Sequence, residues 1–222
     1  MIDTSGVPLH KRGYRTEANA APIRETLAAA IAATSRPREE VLLWDPMCGS
    51  GTIAIEGAML INNIAPGKNR SFASEGFAQI ERKHWQNARE QARDEEKHTS
   101  FEAFASDIDP ACVEIAKANC RRAGVEEYVK CFCADVLDMK KPDRRGTIVS
   151  NPPYGERLST KDEAQRLYRS LGKVFSAMSP WQVYVISSDR EFEHFYGKRA
   201  DKIRRLYNGM IPCYLYQYFK KS

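Results

Sequence analysis

The chain has 222 residues, 42% hydrophobic and 28% charged, with a formal net charge of +5. That suffices for one globular domain with a core. No apolar run approaches the roughly eighteen residues of a membrane span, and the polar, basic stretch from Met1 to Arg15 lacks the apolar segment of a signal peptide. Cys48, Cys112, Cys120, Cys131, Cys133 and Cys213 show no zinc-type pairing. No metal is therefore expected, and a cytoplasmic protein with reduced thiols is the simplest reading.

In chain order, residues 22–33 read as a helix. Pro22 suits a first-turn position, and Ile23, Leu27, Ala30 and Ile31 form one apolar face. Residues 41–44 are a short buried strand, followed by the turn Cys48-Gly49-Ser50-Gly51 and a helix over 52–60. Residues 62–100 read as an insertion: a loop around Ala65-Pro66-Gly67-Lys68, then a polar surface helix with Trp85, Ala88 and Ala92 at helical spacing. A second strand over 101–106 ends at Asp107. Pro110 opens a helix through Ala123 that Gly124 closes. Strands over 129–134 and 147–150 end near Asp135 and at Asn151. A helix covers 162–178 and a fifth strand 183–187. Residues 203–219 form a hairpin around Asn208-Gly209. Alternating strands and helices imply an α/β fold, mainly parallel, covered on both faces, with an antiparallel hairpin at the end.

Basic residues cluster at Lys11, Arg12 and Arg15, at Lys68 and Arg70, and at Lys198, Arg199, Lys202, Arg204 and Arg205. Each group alone reads as a solvated face. Together they point to a polyanionic partner, a nucleic acid, with Lys68 and Arg70 as candidate contacts.

Four strands end in Asp45, Asp107, Asp135 and Asn151, where open α/β sheets bind ligands. Each alone is equally a turn or helix cap. Gly49-Ser50-Gly51-Thr52-Ile53-Ala54 fits the loose dinucleotide pattern, but no Lys follows the glycines, so a phosphate gains no dedicated cation. The glycines allow close backbone approach, and Asp107 can accept from two ribose hydroxyls. Cys48 has no activating neighbour in sequence and is not read as a nucleophile. In Ser150-Asn151-Pro152-Pro153-Tyr154-Gly155 two prolines remove backbone donors. The Asn151 side-chain oxygen and the Pro152 carbonyl can then accept both hydrogens of an amino group and aim its lone pair at an electrophile. Tyr154 can stack on the base that bears the amine.

These segments resemble the motifs of Rossmann-like class I methyltransferases: Asp45-Pro46-Met47-Cys48-Gly49-Ser50-Gly51-Thr52 the first, Asp107-Ile108-Asp109-Pro110 the acidic second, Ala134-Asp135-Val136 the third, and Asn151-Pro152-Pro153-Tyr154 the amino-methyltransferase signature. Leu9-His10-Lys11-Arg12-Gly13-Tyr14-Arg15, Ala21-Pro22-Ile23-Arg24-Glu25, Ile64-Ala65-Pro66-Gly67 and Tyr207-Asn208-Gly209 are similar to the bacterial RlmL-type 23S rRNA guanine-N2 methyltransferases.

The resemblance implies a seven-stranded class I sheet and S-adenosylmethionine as cofactor. It implies cofactor contacts from Pro22, Asp45, Pro46, Cys48, Gly49, Ser50, Gly51, Thr52, Asp107, Ile108, Asp135 and Val136, and target-base contacts from Asn151, Pro152, Pro153 and Tyr154. Asp107 would hold the ribose, and Asp135 and Val136 would border the adenine. Residues 1–40 would flank the cofactor within a single domain spanning 1–222. Relatives of this type carry an RNA-targeting THUMP domain upstream of the Leu9 segment, whereas this chain starts just before it. The implied reaction is direct methyl transfer to guanine N2 of rRNA. Transfer to adenine N6 of DNA, transfer to protein glutamine and a catalytically silent RNA-binding module are the alternatives.

Overall fold

The computed structural model describes residues 2–15, 23–153 and 161–219. Pro22 and Tyr154 therefore lie outside the described residues. Seven strands form one sheet: β1 Leu42–Asp45, β2 Ala103–Asp107, β3 Val129–Cys133, β4 Gly146–Ser150, β5 Gln182–Ser187, β6 Lys202–Asn208 and β7 Ile211–Tyr218. Their spatial order is β3-β2-β1-β4-β5-β7-β6. β1 to β5 run parallel to one another, and β7 runs antiparallel to both β5 and β6. The helices are α1 Glu25–Ser35, α2 Thr52–Ile61, α3 Arg82–Asp94, α4 Pro110–Ala123, α5 Lys161–Ala177 and α6 Phe192–Tyr196. The expected architecture of a mostly parallel seven-stranded sheet with a terminal antiparallel hairpin is the observed one.

The period-two alternation of strand side chains divides the core in two. Leu43, Ala103, Ala105, Val149, Ile186 and Leu215 face α1, α2 and α4, where Ile31, Ile53 and Ala116 meet them. Leu42, Trp44, Ile148, Val183 and Val185 face α5 and α6, and pack on Tyr168, Leu171, Phe175 and Phe192. All four β1 residues are buried, as a central parallel strand covered on both faces requires.

Local signals set several boundaries. The Asp109 carboxylate accepts the Ala111 N–H at 2.9 Å, Pro110 occupies the first turn, and Gly124 ends α4 in the left-handed conformation at φ 69°. By contrast, α1 starts at Glu25 rather than near Pro22. Arg24 is held extended (φ −67°, ψ 141°), with its N–H donated to the Asn208 side-chain oxygen at 3.2 Å. The hairpin turn is one residue further on than the Asn208-Gly209 pattern suggests. Asn208 pairs with Ile211, leaving Gly209 and Met210 as the two-residue loop, and Gly209 takes the positive φ of 68° that this loop needs. The short α6 carries no helical period in sequence; its Phe192 is fully buried among Tyr168, Tyr196 and Tyr216. The surface helix expected within residues 62–100 is α3, which buries none of its side chains.

Candidate active site

The carboxyl ends of β1 to β4 open into one cavity of about 630 Å³, within the usual range for a small-molecule site. Its floor is the segment after β1. Four hydrogen bonds shape that segment. The Met47 N–H reaches Asp45 Oδ1 at 3.4 Å, and the Cys48 N–H reaches the Ser106 carbonyl at 2.9 Å. The Gly49 N–H reaches Asp107 Oδ2 at 2.8 Å, and the Gly51 N–H reaches the Cys48 carbonyl at 2.8 Å. Gly49 and Gly51 both have positive φ. At Gly51 a side chain would also press on Ala116 of α4, whose Cβ lies 3.0 Å from the position a Cβ would take.

Asp45, Pro46, Cys48, Gly49, Ser50, Asp107, Ile108, Asp135, Val136, Asn151 and Pro153 line the cavity. Gly51, Thr52 and Pro152 do not line it. Gly51 packs against α4, and the buried Thr52 hydroxyl shares a 3.0 Å hydrogen bond with the Ser50 hydroxyl. Ile23, Met47, Ile53, Asp109, Cys112, Leu137 and Leu167 complete the wall, and sequence reasoning did not pick them as site residues. Ile108 and Leu137 are 65% and 46% exposed. Apolar side chains left open on a cavity wall suit a flat, apolar ligand face.

The acids have structural duties as well. Asp107 accepts from Gly49 with one oxygen and from the Asp109 N–H at 3.1 Å with the other. It thereby ties the glycine turn to β2. Asp135 Oδ1 caps the short 3-10 turn Val136–Asp138 by accepting the Leu137 N–H at 2.9 Å. A carboxylate offers about four acceptor sites, so both retain capacity for ligand hydroxyl or amino groups. Asp45 is fully buried. Desolvation, with a smaller contribution from the nearby Asp107 charge, raises its carboxyl to about 8. Burial likewise pushes the Cys48 thiol well above its ordinary value, with Asp45 and Asp107 acting in the same direction. That suppresses the thiolate a nucleophile would need.

Among the described residues the cavity wall contains four aspartates and no Lys, Arg or His. Such a wall repels phosphates and favours a ligand with positive charge, which separates this site from the dinucleotide reading of the glycine turn. At the β4 end the Asn151 side-chain oxygen is buried without a hydrogen-bond partner among the described residues. Leaving an acceptor in that state costs about 1–3 kcal/mol, and the usual reasons are a missing ligand or water.

The basic clusters near the start of the chain are engaged internally. Arg12 pairs with the buried Glu56 of α2 at 2.9 Å, and the Tyr14 hydroxyl donates to the same oxygen at 2.8 Å. Arg15 pairs with Glu25 at 3.0 Å and donates to the Ile23 carbonyl at 2.7 Å. These bonds clip the N-terminal segment onto α1 and α2 beside the cavity residue Ile23. Lys68 pairs with Glu96 at 2.6 Å, and Arg70 donates to the carbonyls of Val7, Pro8 and Lys11. Both candidate RNA contacts are thus committed to holding the chain together.

The model of the UPF0020 family, described as RMKL-like, methyltransferase domain, matches residues 12–217. A Bacillus subtilis (strain 168) protein named "Putative RNA methyltransferase YpsC" is 42% identical over 221 residues, which are 99% of this chain and 57% of that protein. The Ribosomal RNA large subunit methyltransferase K/L of Psychromonas ingrahamii is 40% identical over 98% of this chain and 30% of its own length. Among solved structures, that of "SMU.472, a putative methyltransferase complexed with SAH" superposes with a TM-score of 0.92 at 40% identity, covering all of this chain and 58% of the other. The chain thus spans between about a third and three fifths of the relatives it matches. The family match covers nearly the whole chain, and this chain belongs to the UPF0020 family of RMKL-like methyltransferase domains.

Proposed function

We propose that this domain transfers a methyl group from S-adenosylmethionine to the exocyclic amino group of a nucleic-acid base, with guanine N2 of 23S rRNA as the target. The observation that carries this reading is the meeting, in one cavity, of an acidic wall with the buried Asn151 oxygen, the wall holding no cation and the oxygen no partner among the described residues. When bound, the cofactor supplies an electrophilic methyl on a sulfonium. Its positive charges suit Asp107, Asp109 and Asp135, while the buried Asp45 keeps its proton. Asp107 would accept from the ribose hydroxyls, and Asp135 from the adenine amino group, with Ile108, Val136 and Leu137 against the ring. Gly49 to Thr52 would run beside the methionine part, Gly51 and Thr52 from behind the wall. Asn151 Oδ1 and the Pro152 carbonyl would hold the two amine hydrogens and so orient the nitrogen lone pair. Asn151 is neutral and acts by alignment, not as a base. The relatives named as RNA and ribosomal RNA methyltransferases support an RNA target. Their greater length is in keeping with RNA delivery by a further domain such as THUMP.

The test is transfer of tritiated methyl to unmodified rRNA and to unmethylated DNA, followed by nucleoside analysis. N2-methylguanosine supports the proposal, and N6-methyladenine moves the target to DNA. Asn151→Ala is expected to lower turnover by about 10²-fold or more with S-adenosylhomocysteine affinity retained; full turnover would remove Asn151 from its role.

A further inference from the structure

The β6–β7 hairpin stands at the same end of the sheet as the cavity. Ser187, the last residue of β5, pairs with Tyr214, so the turn at Gly209-Met210 projects beyond the carboxyl ends of the parallel strands. In the order β4-β5-β7-β6 its two strands are offset sideways by two and three inter-strand spacings, about 10 and 14 Å, from the strand that leads into Asn151. Arg24 fastens the hairpin to the cavity wall: its N–H bonds Asn208, and its neighbour Ile23 lines the cavity.

The tip is unusually open for an element so well anchored. Tyr207 is 54% exposed, Ile211 50% and Met210 94%. The Arg205 guanidinium lies over the Tyr207 ring at 5.3 Å. Pairing with Tyr214 and Pro212 puts Arg205 and Tyr207 on the face of the sheet that carries α5, the helix that follows the Asn151-Pro152-Pro153 segment. From residue 202 to the last residue the sequence has Lys202, Arg204, Arg205, Lys220 and Lys221 and no acid. Among the described residues Lys202, Arg204 and Arg205 have no ion-pair partner. This contrasts with Arg12, Arg15 and Lys68, each of which is paired.

An exposed aromatic ring backed by arginine, within a stretch of uncompensated positive charge, has the composition of a single-strand platform: bases stack on the ring, and cations neutralise the phosphates. We propose that the β6–β7 hairpin tip binds the unpaired RNA flanking the target nucleotide, with Tyr207 as the stacking residue and Arg205, on the same face, as a phosphate contact. The identity of the strand as RNA rests on the function proposed above. The absence of acids argues for a polyanion over a second copy of this chain, which carries the same charge.

The experiment titrates the whole chain into a short, unstructured, fluorescein-labelled RNA at several salt concentrations. Tyr207→Ala is expected to weaken binding by about 5- to 150-fold, and Tyr207→Phe to retain it. Arg205→Ala is expected to lower the salt slope by about 0.7. S-adenosylhomocysteine affinity serves as the folding control and is expected to stay constant, because the hairpin tip does not line the cavity. Equal RNA affinity for wild type and Tyr207→Ala, or no binding by the wild type, overturns the proposal. So does a Met210→Glu variant that abolishes self-association while leaving RNA binding intact. Hairpin-dependent binding without methyl transfer to RNA upholds the surface and refutes the methylation reading. Methyl transfer whose rRNA KM ignores Tyr207→Ala does the reverse.

Discussion

Replacing Asp45 with Asn tests the electrostatics of the cavity floor. Burial, reinforced by Asp107, moves the Asp45 carboxyl from 3.8 to about 8. The folded protein therefore holds a proton that the unfolded chain releases near pH 4. Its stabilising effect is complete below the unfolded value and is lost as pH rises toward the folded one. At about 1.4 kcal/mol per pH unit, the wild type loses about 4 kcal/mol between about pH 4 and pH 7 through this group. Asn carries no titrating proton and keeps the shape, so the variant lacks that loss. Glu56, raised by burial to about 7 despite Arg12, contributes with the same sign but is present in both proteins. Urea denaturation followed by tryptophan fluorescence, with the buried Trp44 next to Asp45 as a reporter, should show the variant gaining stability on the wild type by up to about 1.4 kcal/mol per pH unit. Parallel stability curves across this window would refute the claim that Asp45 is protonated in the folded protein.

Other outcomes follow from the same geometry. Asp107→Ala removes the acceptor for the Gly49 and Asp109 N–H groups. Each bond to a charged group contributes about 1.5–3 kcal/mol, so S-adenosylhomocysteine affinity should fall by at least about tenfold, and unchanged affinity by calorimetry would rule out the assigned role. Gly51→Ala combines a φ of 77° with a 3.0 Å approach to Ala116. It should cost about 1–3 kcal/mol of stability in thermal unfolding, and a variant as stable as the wild type would show that α2 and α4 can part freely. Arg12→Met leaves the buried Glu56 without its cation; a loss of about 3–5 kcal/mol is expected, and a neutral change would mean that the N-terminal clip does not contribute.

Much of the fold is legible in the sequence because its signals are local. Pro110 and Gly124 bound α4 through their own backbone preferences. The buried run before Asp45, and the acids or Asn that close four strands, mark the ligand-binding end of the sheet. Asn151-Pro152-Pro153 marks a candidate amine site because two missing donors in succession have few structural uses, and Asn151 and Pro153 line the cavity.

Tertiary structure decided what those residues do to one another. Asp107 shapes the glycine turn across 58 residues of sequence, and the protonation of Asp45 comes from desolvation that only the assembled sheet imposes. The same holds for charge. Arg12, Arg15, Lys68 and Arg70 look no different in sequence from Arg204 and Arg205. The first four found carboxylates or carbonyls on distant elements, whereas the last two lie exposed on an edge strand. Local propensity acts over a few residues. Burial and pairing depend on which elements meet, and those decide which cations remain available to a partner and which acids keep their protons.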